Sequence, residues 1–292
     1  MNDHVLKTGP GVAATAVNAS AAPSVLANET TASLGTQTVD AKSFLDVSGI
    51  VVRFGGLLAV NGLSMQVERG RIHALIGPNG AGKSTTFNCI SCYYQPAQGR
   101  IVLDGEDITH HRPHQMAALG VARTFQNLEL FGELTVRENA LLGTHSHAAR
   151  TAGMMLRRPG AEARDLVDHL LERVGLADHH DTLASNLDFG RQKMLELARA
   201  LAIKPKLLLL DEPAAGLRNR EIETLDRLLR ELCERDGITV LLVEHVMQLV
   251  MAISDRITVM SFGEKIAEGT PEEVRGNPRV IDAYLGKGTH RG

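Results

Sequence analysis

The feature that most constrains the fold is a glycine-rich segment, GPNGAGKST, at residues 77–85. It follows an apolar run at residues 72–76 and precedes a segment that predicts a helix from Ser84. A GxxxxGK[ST] pattern between strand and helix is typical of a phosphate-binding P-loop, because its glycines let backbone N–H groups point inward. We therefore predict a polyphosphate site, with Lys83 on the β- and γ-phosphates and Ser84 as a Mg²⁺ ligand. The complete motif disfavours the alternative, a glycine turn that only caps a helix.

The composition is that of an ordinary globular chain. Its 292 residues include 31 basic and 34 acidic side chains, a formal net charge of -3, so we expect no nucleic-acid partner. No run approaches the roughly 18 uninterrupted apolar residues of a membrane span, so any membrane role requires a partner. The three cysteines are too few for a disulfide framework, and we interpret Cys89 and Cys92 as small core residues.

The pattern of the chain changes near residue 42. Residues 1–42 are rich in Ala, Thr, Ser and Val without a sustained period, which predicts a disordered N-terminal tail that is neither a signal peptide nor a transit peptide. Residues 43–292 predict one α/β domain. Within it we expect a helical insertion at about residues 127–190 and a C-terminal extension at about residues 264–292.

Strand and helix patterns surround the P-loop. Strands of an antiparallel β region are predicted at residues 44–47, 50–54 and 63–67, and a strand that ends in an Asp-Gly turn at residues 99–105. A helix is predicted at residues 190–203, ended by Lys204 and Pro205.

Two carboxylates end another buried-strand pattern. Four leucines at residues 207–210 precede Asp211 and Glu212, and the carboxyl end of such a strand borders the ligand crevice. Asp211 is suited to accept a hydrogen bond from the Mg²⁺ water shell, and Glu212 to orient or deprotonate the attacking water. The alternative for this acidic pair is a helix N-cap. The strand pattern at residues 238–243 leads to His245, which can bond a γ-phosphate, although a lone His is more often structural.

Taken together, these motifs resemble the nucleotide-binding subunit of an ABC transporter over residues 45–286. The resemblance implies an α/β fold, a P-loop NTPase core with a mixed sheet, an N-terminal antiparallel β region and an inserted α-helical subdomain. It also implies ATP and Mg²⁺ as cofactors, and ATP hydrolysis coupled to transport. Phe54 matches the aromatic that stacks on adenine in this family, but a core position on its strand is an equal alternative.

The resemblance assigns roles residue by residue. Catalysis is assigned to Glu212, His245, Lys83 and Gln126, and Mg²⁺ coordination to Ser84, Gln126 and Asp211. Nucleotide binding is assigned to Phe54, Gly77, Pro78, Asn79, Gly80, Ala81, Gly82, Lys83, Ser84, Thr85, Gln126, Asp211 and His245.

Four segments are similar to the ATPases of branched-chain amino acid importers: FGGL at residues 54–57, ARTFQ at 122–126, DEPAAGL at 211–217 and IDAYLG at 281–286. The similarity implies an importer of branched-chain amino acids or related small solutes. The implied partners are a second ABC ATPase subunit, in a heterodimer or a homodimer, transmembrane permease subunits and, indirectly, a periplasmic solute-binding protein. The implied location is the cytoplasmic face of the inner membrane, as a peripheral subunit.

The chain departs from the family at the LSGGQ signature, which contacts the partner's nucleotide. Here the signature reads Leu187, Asp188, Phe189, Gly190 and Arg191. Asp188 replaces a serine that donates to the γ-phosphate held by the opposite subunit, and an ionised Asp can only accept. We expect this chain to hydrolyse ATP against a partner's normal signature, while the partner's site that faces Asp188 is slow.

Other classes of ABC protein remain as alternatives. An ATPase of a lipid or polysaccharide exporter shares many of these motifs. A nucleotide-binding regulatory subunit with impaired hydrolysis is suggested by Asp188 and by Arg218, which replaces the Asp or Asn of the family's D-loop. The intact Glu212 and His245 disfavour the hypothesis of a regulatory subunit. Single-copy motifs and the lack of a long coiled-coil pattern disfavour a soluble protein of translation or DNA repair.

Overall fold

The computed structural model describes residues 43–148 and 160–285. The strands are β1 (Ser43–Phe54), β2 (Leu57–Glu68), β3 (Ile72–Ile76), β4 (Gln98–Leu103), β5 (Glu106–Asp107), β6 (Val121–Arg123), β7 (Leu207–Asp211), β8 (Thr239–Val243), β9 (Arg256–Ser261) and β10 (Glu264–Gly269). The helices are α1 (Lys83–Ile90), α2 (Pro113–Met116), α3 (Val136–Ala148), α4 (Ala161–Arg173), α5 (Phe189–Leu201), α6 (Asn219–Glu234), α7 (Met247–Ile253), α8 (Pro271–Arg275) and α9 (Pro278–Leu285), with 3-10 turns at Ala177–His179 and Ala184–Asn186.

The strands form two sheets. The antiparallel sheet has the order β2-β1-β4-β5, and the second sheet has the order β10-β9-β3-β8-β7-β6. In the second sheet β9, β3, β8, β7 and β6 run parallel, and β10 is an antiparallel edge strand. This arrangement confirms the predicted fold class of a mixed sheet with an N-terminal antiparallel region. The predicted tail at residues 1–42 and the last residues of the predicted extension, 286–292, lie outside the described residues.

Two of the predicted strands are one strand with a bulge. Residues 44–47 and 50–54 both belong to β1, and its pairing with β2 shifts register between Val47 and Ile50. Gly49 lies in this gap with φ +61°, a conformation that glycine adopts without steric cost. A Cβ on Gly99 of β4 would lie 2.5 Å from the Gly49 carbonyl oxygen. The close approach of β4 to β1 at this bulge therefore requires glycine.

The central strands β3, β7 and β8 are buried along their whole length, as expected for parallel strands covered on both faces. Alternate side chains enter two different cores, because successive residues of a strand point to opposite faces. Leu208 and Leu210 pack in the core that contains α3 to α7. Leu207 and Leu209 pack in the core shared with α1 and the antiparallel sheet. The second sheet is thus the middle layer of three.

Helices α3, α4 and α5 occupy the chain between β6 and β7. A Cβ on Gly143 of α3 would lie 2.1 Å from the carbonyl oxygen of Arg199 in α5, so these helices pack with their backbones close together. The helix predicted at residues 190–203 corresponds to α5, which ends at Leu201. Lys204 then adopts φ +53°, a left-handed conformation that is common just after the end of a helix, and its backbone N–H donates to the Leu201 carbonyl at 2.8 Å. Pro205 follows and cannot continue the helix.

None of the helices in residues 43–148 and 160–285 is long and apolar enough to cross a membrane. The thiols of Cys89 and Cys92 are buried and free, and burial raises their pKa to about 12 and about 11. They pack as the small core residues that the sequence predicts.

His73 of β3 is a buried titratable group, and it makes folding depend on pH. Its Nε2 lies 2.8 Å from Thr258 Oγ1, and burial lowers the pKa of His73 to about 3 from an ordinary 6.5. Below pH 6.5 the unfolded chain binds a proton that the folded chain excludes, so stability falls as the pH falls toward about 3.

We predict that the wild type loses up to about 1.4 kcal/mol of unfolding free energy per pH unit more than a His73→Gln variant below about pH 6. Gln keeps a neutral hydrogen-bonding side chain without a titrating ring. Denaturant unfolding of both proteins at about pH 7.5 and about pH 5 measures the difference. Equal losses in the two proteins would contradict the assignment.

Candidate functional site

The glycine-rich loop connects the end of β3 to the start of α1, as its sequence predicts. Gly77 has φ +152°, and a Cβ there would lie 2.1 Å from the carbonyl oxygen of Met260 in β9. Gly82 has φ +100°, and its Cβ would lie 2.6 Å from the carbonyl oxygen of Ala59 in β2. Strands from both sheets therefore hold this loop, and they leave no room for side chains at these two positions.

Lys83 opens α1 with its ammonium inside the loop. Its Nζ donates to the carbonyl oxygens of Gly77 at 2.7 Å and Pro78 at 3.0 Å. Burial lowers the pKa of Lys83, and the carboxylates of Glu212 and Asp211 oppose that shift. The positive charge of the ammonium is thus held by two neutral carbonyl oxygens of the loop, close to where a P-loop binds phosphates.

Glu212, Gln126 and His245 come together in space although they lie far apart in sequence. Glu212 Oε1 lies 2.7 Å from His245 Nε2, and Glu212 Oε2 accepts from Gln126 Nε2 at 3.2 Å. Glu212 has φ +51°, which is uncommon for a residue with a side chain and recurs at functional sites. The two neighbours fix the orientation of this carboxylate in the way required of a group that orients water.

Asp211 lies deeper than Glu212, with its side chain buried beside Arg123. Its Oδ2 accepts from Nη2 of Arg123 at 3.2 Å, and Nη1 of the same guanidinium donates to Asn88 Oδ1 and Ser91 Oγ. Burial raises the pKa of Asp211, and the Arg123 charge opposes that shift. The guanidinium lies 5.1 Å from the ring centre of Phe125, the residue before Gln126. Arg123 therefore connects the end of β7 to the segment that carries Gln126.

One cleft of about 620 Å³ brings most of the predicted nucleotide-binding residues together. Its walls include Phe54, Asn79, Gly80, Ala81, Gly82, Lys83, Ser84, Thr85, Gln126, Glu212 and His245. Phe54 is 44% exposed, and its ring meets Tyr94 edge-on at 5.2 Å. The structure thus places Phe54 at the cleft, where it could contact a base, and not in the core. Asp211 does not line the cleft but lies behind it.

Several residues of the site were missed by the sequence analysis. Leu57, Leu58, Ala59 and Phe262 also line the cleft. Glu244 is buried, and its carboxylate accepts from the backbone N–H groups of Ala214, His245 and Val246. The sequence signal for Glu244 was an acidic residue directly after an apolar strand. A carboxylate at such a buried position requires hydrogen-bond partners.

The signature segment lies outside this cleft, at the start of α5. Asp188 is the N-cap: its Oδ1 accepts from the Arg191 backbone N–H at 2.9 Å, and its Oδ2 is 2.7 Å from the Arg191 guanidinium. Phe189 is 47% exposed, and its ring would lie 2.7 Å from a Cβ on Gly216. Leu187 is buried, and Gly190 packs on Glu221. The exposed side chains of the signature are therefore those of Asp188, Phe189 and Arg191.

The residues predicted to hold Mg²⁺ supply suitable donors. Hydroxyl, amide and carboxylate oxygens, from Ser84, Gln126 and Asp211, are the hard ligands that Mg²⁺ takes, usually together with phosphates and water. Because the Gln126 nitrogen donates to Glu212, its oxygen is the atom left for a cation. In the described part of the chain no three His, Cys, Asp or Glu side chains form a metal cluster of their own. The donor set therefore fits a cation shared with a nucleotide.

Known proteins resemble this chain in both sequence and fold. The family model described as ABC transporter matches residues 60–215, and the model described as branched-chain amino acid ATP-binding cassette transporter matches residues 264–290. The high-affinity branched-chain amino acid transport ATP-binding protein BraF of Pseudomonas aeruginosa is 47% identical over 252 residues, which is 84% of this chain and 99% of BraF. The corresponding protein LivG of Escherichia coli K12 is 47% identical over 249 residues, with 83% and 98% covered.

Solved structures support the same assignment. A nucleotide-free ATP-binding cassette from an ABC transporter has a TM-score of 0.75 and 31% identity, and covers 84% of this chain and 100% of its own. The ADP conformation of an ATP-binding cassette has a TM-score of 0.76 and 32% identity, with 84% and 99% covered. The family expected from the motifs is thereby confirmed, and this chain belongs to the ABC transporter family of ATP-binding proteins.

Proposed function

We propose that this chain is the ATP-binding and ATP-hydrolysing subunit of an ABC importer for branched-chain amino acids or related small solutes. The observation that carries the proposal is the Glu212 carboxylate, held between Gln126 and His245 in the cleft formed by the P-loop. The solute class rests on the match of residues 264–290 and on the names of the relatives. The subunit acts at the cytoplasmic face of the inner membrane, bound to permease subunits.

The residues of the cleft divide the work of hydrolysis. The P-loop amides and Lys83 bind the β- and γ-phosphates, and the Lys83 charge stabilises the negative charge that develops on the transferred group. Ser84, Gln126 and Asp211 would hold a Mg²⁺ ion, which would neutralise further phosphate charge. Glu212 accepts a hydrogen bond from the attacking water and orients it toward the γ-phosphorus. His245 contacts the γ-phosphate and holds Glu212 in position.

Glu212→Gln tests this division. The amide keeps the shape of the side chain but is a poor proton acceptor, so we expect ATP hydrolysis to fall by about 10²- to 10⁴-fold while ATP still binds. Steady-state phosphate release and nucleotide binding by the purified chain with its partner ATPase measure the two effects. The matched control is Glu272→Gln, at an exposed position of α8, which should retain normal hydrolysis. Normal hydrolysis by Glu212→Gln would refute the role of Glu212.

A second ATPase subunit completes the site. In this arrangement the exposed signature at the start of α5 faces the γ-phosphate held by the partner. Asp188 brings a carboxylate to that surface, and at about 4 Å from a phosphate the repulsion is roughly 1 to 4 kcal/mol, depending on screening. The Arg191 guanidinium, paired with Asp188 at 2.7 Å, offsets part of this repulsion. The chain's own cleft then hydrolyses ATP against the partner's signature, while the partner's site that faces Asp188 is slow.

We predict that Asp188→Ser speeds the partner's site by roughly fivefold to several hundredfold, because it removes the repulsion. Ser is also a good N-cap, so α5 should keep its stability. Phosphate release from the two-ATPase complex, with the chain's own cleft blocked by Glu212→Gln, isolates the partner's site. Normal turnover by the purified chain alone, unchanged by Asp188→Ser, would contradict the asymmetry. No activity in any form of the complex would favour a regulatory subunit.

The permease contacts the surface near residues 126–137. Phe131 is 57% exposed and Tyr93 is 53% exposed, and the Tyr93 ring meets Phe125 edge-on at 6.2 Å. The loop that presents Phe131 is fixed by the buried side chain of Asn139, which bonds the Phe131 backbone N–H and carbonyl at 3.0 and 2.9 Å. A rigid loop with exposed aromatic rings suits a helix-in-groove contact.

Phe131→Ser should therefore weaken binding to the permease by roughly tenfold or more, because it removes the burial of a large apolar side chain. The fraction of the ATPase subunit retained on a co-expressed, tagged permease measures this binding. The matched control is Ile281→Ser, at a position 44% exposed in α9, which should be retained normally. Full retention of Phe131→Ser, or equal loss of both variants, would contradict the proposed surface.

A further inference from the structure

The turn between β9 and β10 holds a large apolar residue in a strained conformation. Phe262 has φ +48° and the following Gly263 has φ +83°. Two-residue hairpin turns with two positive φ angles favour Asn-Gly, Asp-Gly or Gly-Gly, because a side chain at positive φ crowds the backbone. For a bulky residue such as Phe this conformation is a true outlier. The position would be less strained with Asn than with Phe.

The tip of this turn is fixed in place beside the P-loop. Gly263 N–H donates to the carbonyl oxygen of Ala81 at 3.1 Å, and Gly263 carbonyl accepts from Asn61 N–H at 2.8 Å. The Asn61 side chain in turn donates to Glu264 at 2.7 Å. Since these bonds tie the turn to both the P-loop and β2, Phe262 is presented at a defined point of the cleft wall.

Phe262 gives the fold no apolar burial in return for this strain. Its side chain is 93% exposed, the largest exposed fraction among the large apolar side chains of the described residues. Backbone strain that brings no packing benefit is a pointer to function. Phe262 lines the same cleft as Phe54 and the P-loop, together with Leu57 and Leu58.

We propose that Phe262 is a second aromatic wall of the nucleotide cleft, which packs against the base and ribose of ATP while the P-loop holds the phosphates. The proposal rests on the proposed function of the cleft as an ATP site. Among the residues that line the cleft, Lys83 and Ser84 suit a triphosphate, and the apolar side chains of Phe54, Leu57 and Phe262 suit a purine ring. Aromatic side chains stabilise a base by stacking, which does not require hydrogen-bond donors.

The variant Phe262→Asn distinguishes a role in ATP binding from a structural role. It should make the fold more stable and, at the same time, weaken the binding of Mg-ATP. Asn is better suited to positive φ, so the melting temperature of the nucleotide-free chain should rise by about 2 to 4 °C. The loss of stacking should raise the Kd for Mg-ATP by about five- to tenfold. The Kd for inorganic tripolyphosphate, which has no base, should stay unchanged. Isothermal titration of the full chain with both ligands gives these constants.

Phe131→Asn is the matched control, since it removes an exposed Phe that lies away from the cleft. It should leave both dissociation constants as in the wild type. An unchanged Kd for Mg-ATP in Phe262→Asn would overturn the proposal. So would an equal loss for Mg-ATP and tripolyphosphate, because that would report a distorted P-loop.

Two further outcomes separate this proposal from its alternatives. If Phe262→Asn binds Mg-ATP normally but loses hydrolysis only in the presence of the partner ATPase, Phe262 belongs to the contact between subunits and the proposal is wrong. If the wild-type chain binds neither Mg-ATP nor tripolyphosphate, the proposed function of the cleft fails, irrespective of Phe262.

Discussion

The parallel register of β3, β8 and β7 determines where the reacting groups lie. Leu75 of β3 pairs with Val243 of β8, and Val243 pairs with Asp211 of β7. Because parallel strands in register end at the same edge, the P-loop after β3 and the side chains of Glu212 and His245 emerge side by side. Both faces of these strands are buried, so a slip of one residue would exchange the contents of the two cores. Core packing therefore fixes the geometry of the site.

Backbone strain occurs at two residues that line the same cleft as the glycine-rich loop. Glu212 and Phe262 both have positive φ, at a cost of roughly 1 to 3 kcal/mol each. Gly77 also has positive φ, but as a glycine it has no Cβ to clash with the nearby Met260 carbonyl oxygen. Hydrogen bonds from Gly263 to Ala81 and from Asn61 to Gly263 hold these neighbouring segments together. The extensive burial in the two cores compensates for the local strain.

Sequence patterns predicted the elements whose signals are local. The P-loop, the strands on both sides of it and helix α5 followed from glycine spacing and apolar periodicity, and the family from motifs at known spacing. The pair of Arg123 and Asp211 could not be predicted in this way, since the residues are 88 positions apart and meet only through strand order. Phe262 was missed because local preference argues against Phe at positive φ. The strand prediction at residues 44–47 and 50–54 left a gap, whereas β1 is continuous and has a bulge at this point.

Glu244 has a consequence for how the reacting groups are held relative to one another. Its carboxylate bonds backbone N–H groups in the loops after β7 and after β8, so Glu212 and His245 sit on loops that one buried side chain ties together. Gln126 comes from the segment after β6 and reaches Glu212 through a hydrogen bond of 3.2 Å. Glu244 thus joins two of the segments that carry the reacting groups, and Gln126 approaches Glu212 from a third segment through a hydrogen bond of its own. A displacement of the segment that carries Gln126 would therefore remove one of the two contacts that orient the Glu212 carboxylate, while Glu244 would still hold the loops after β7 and β8 together.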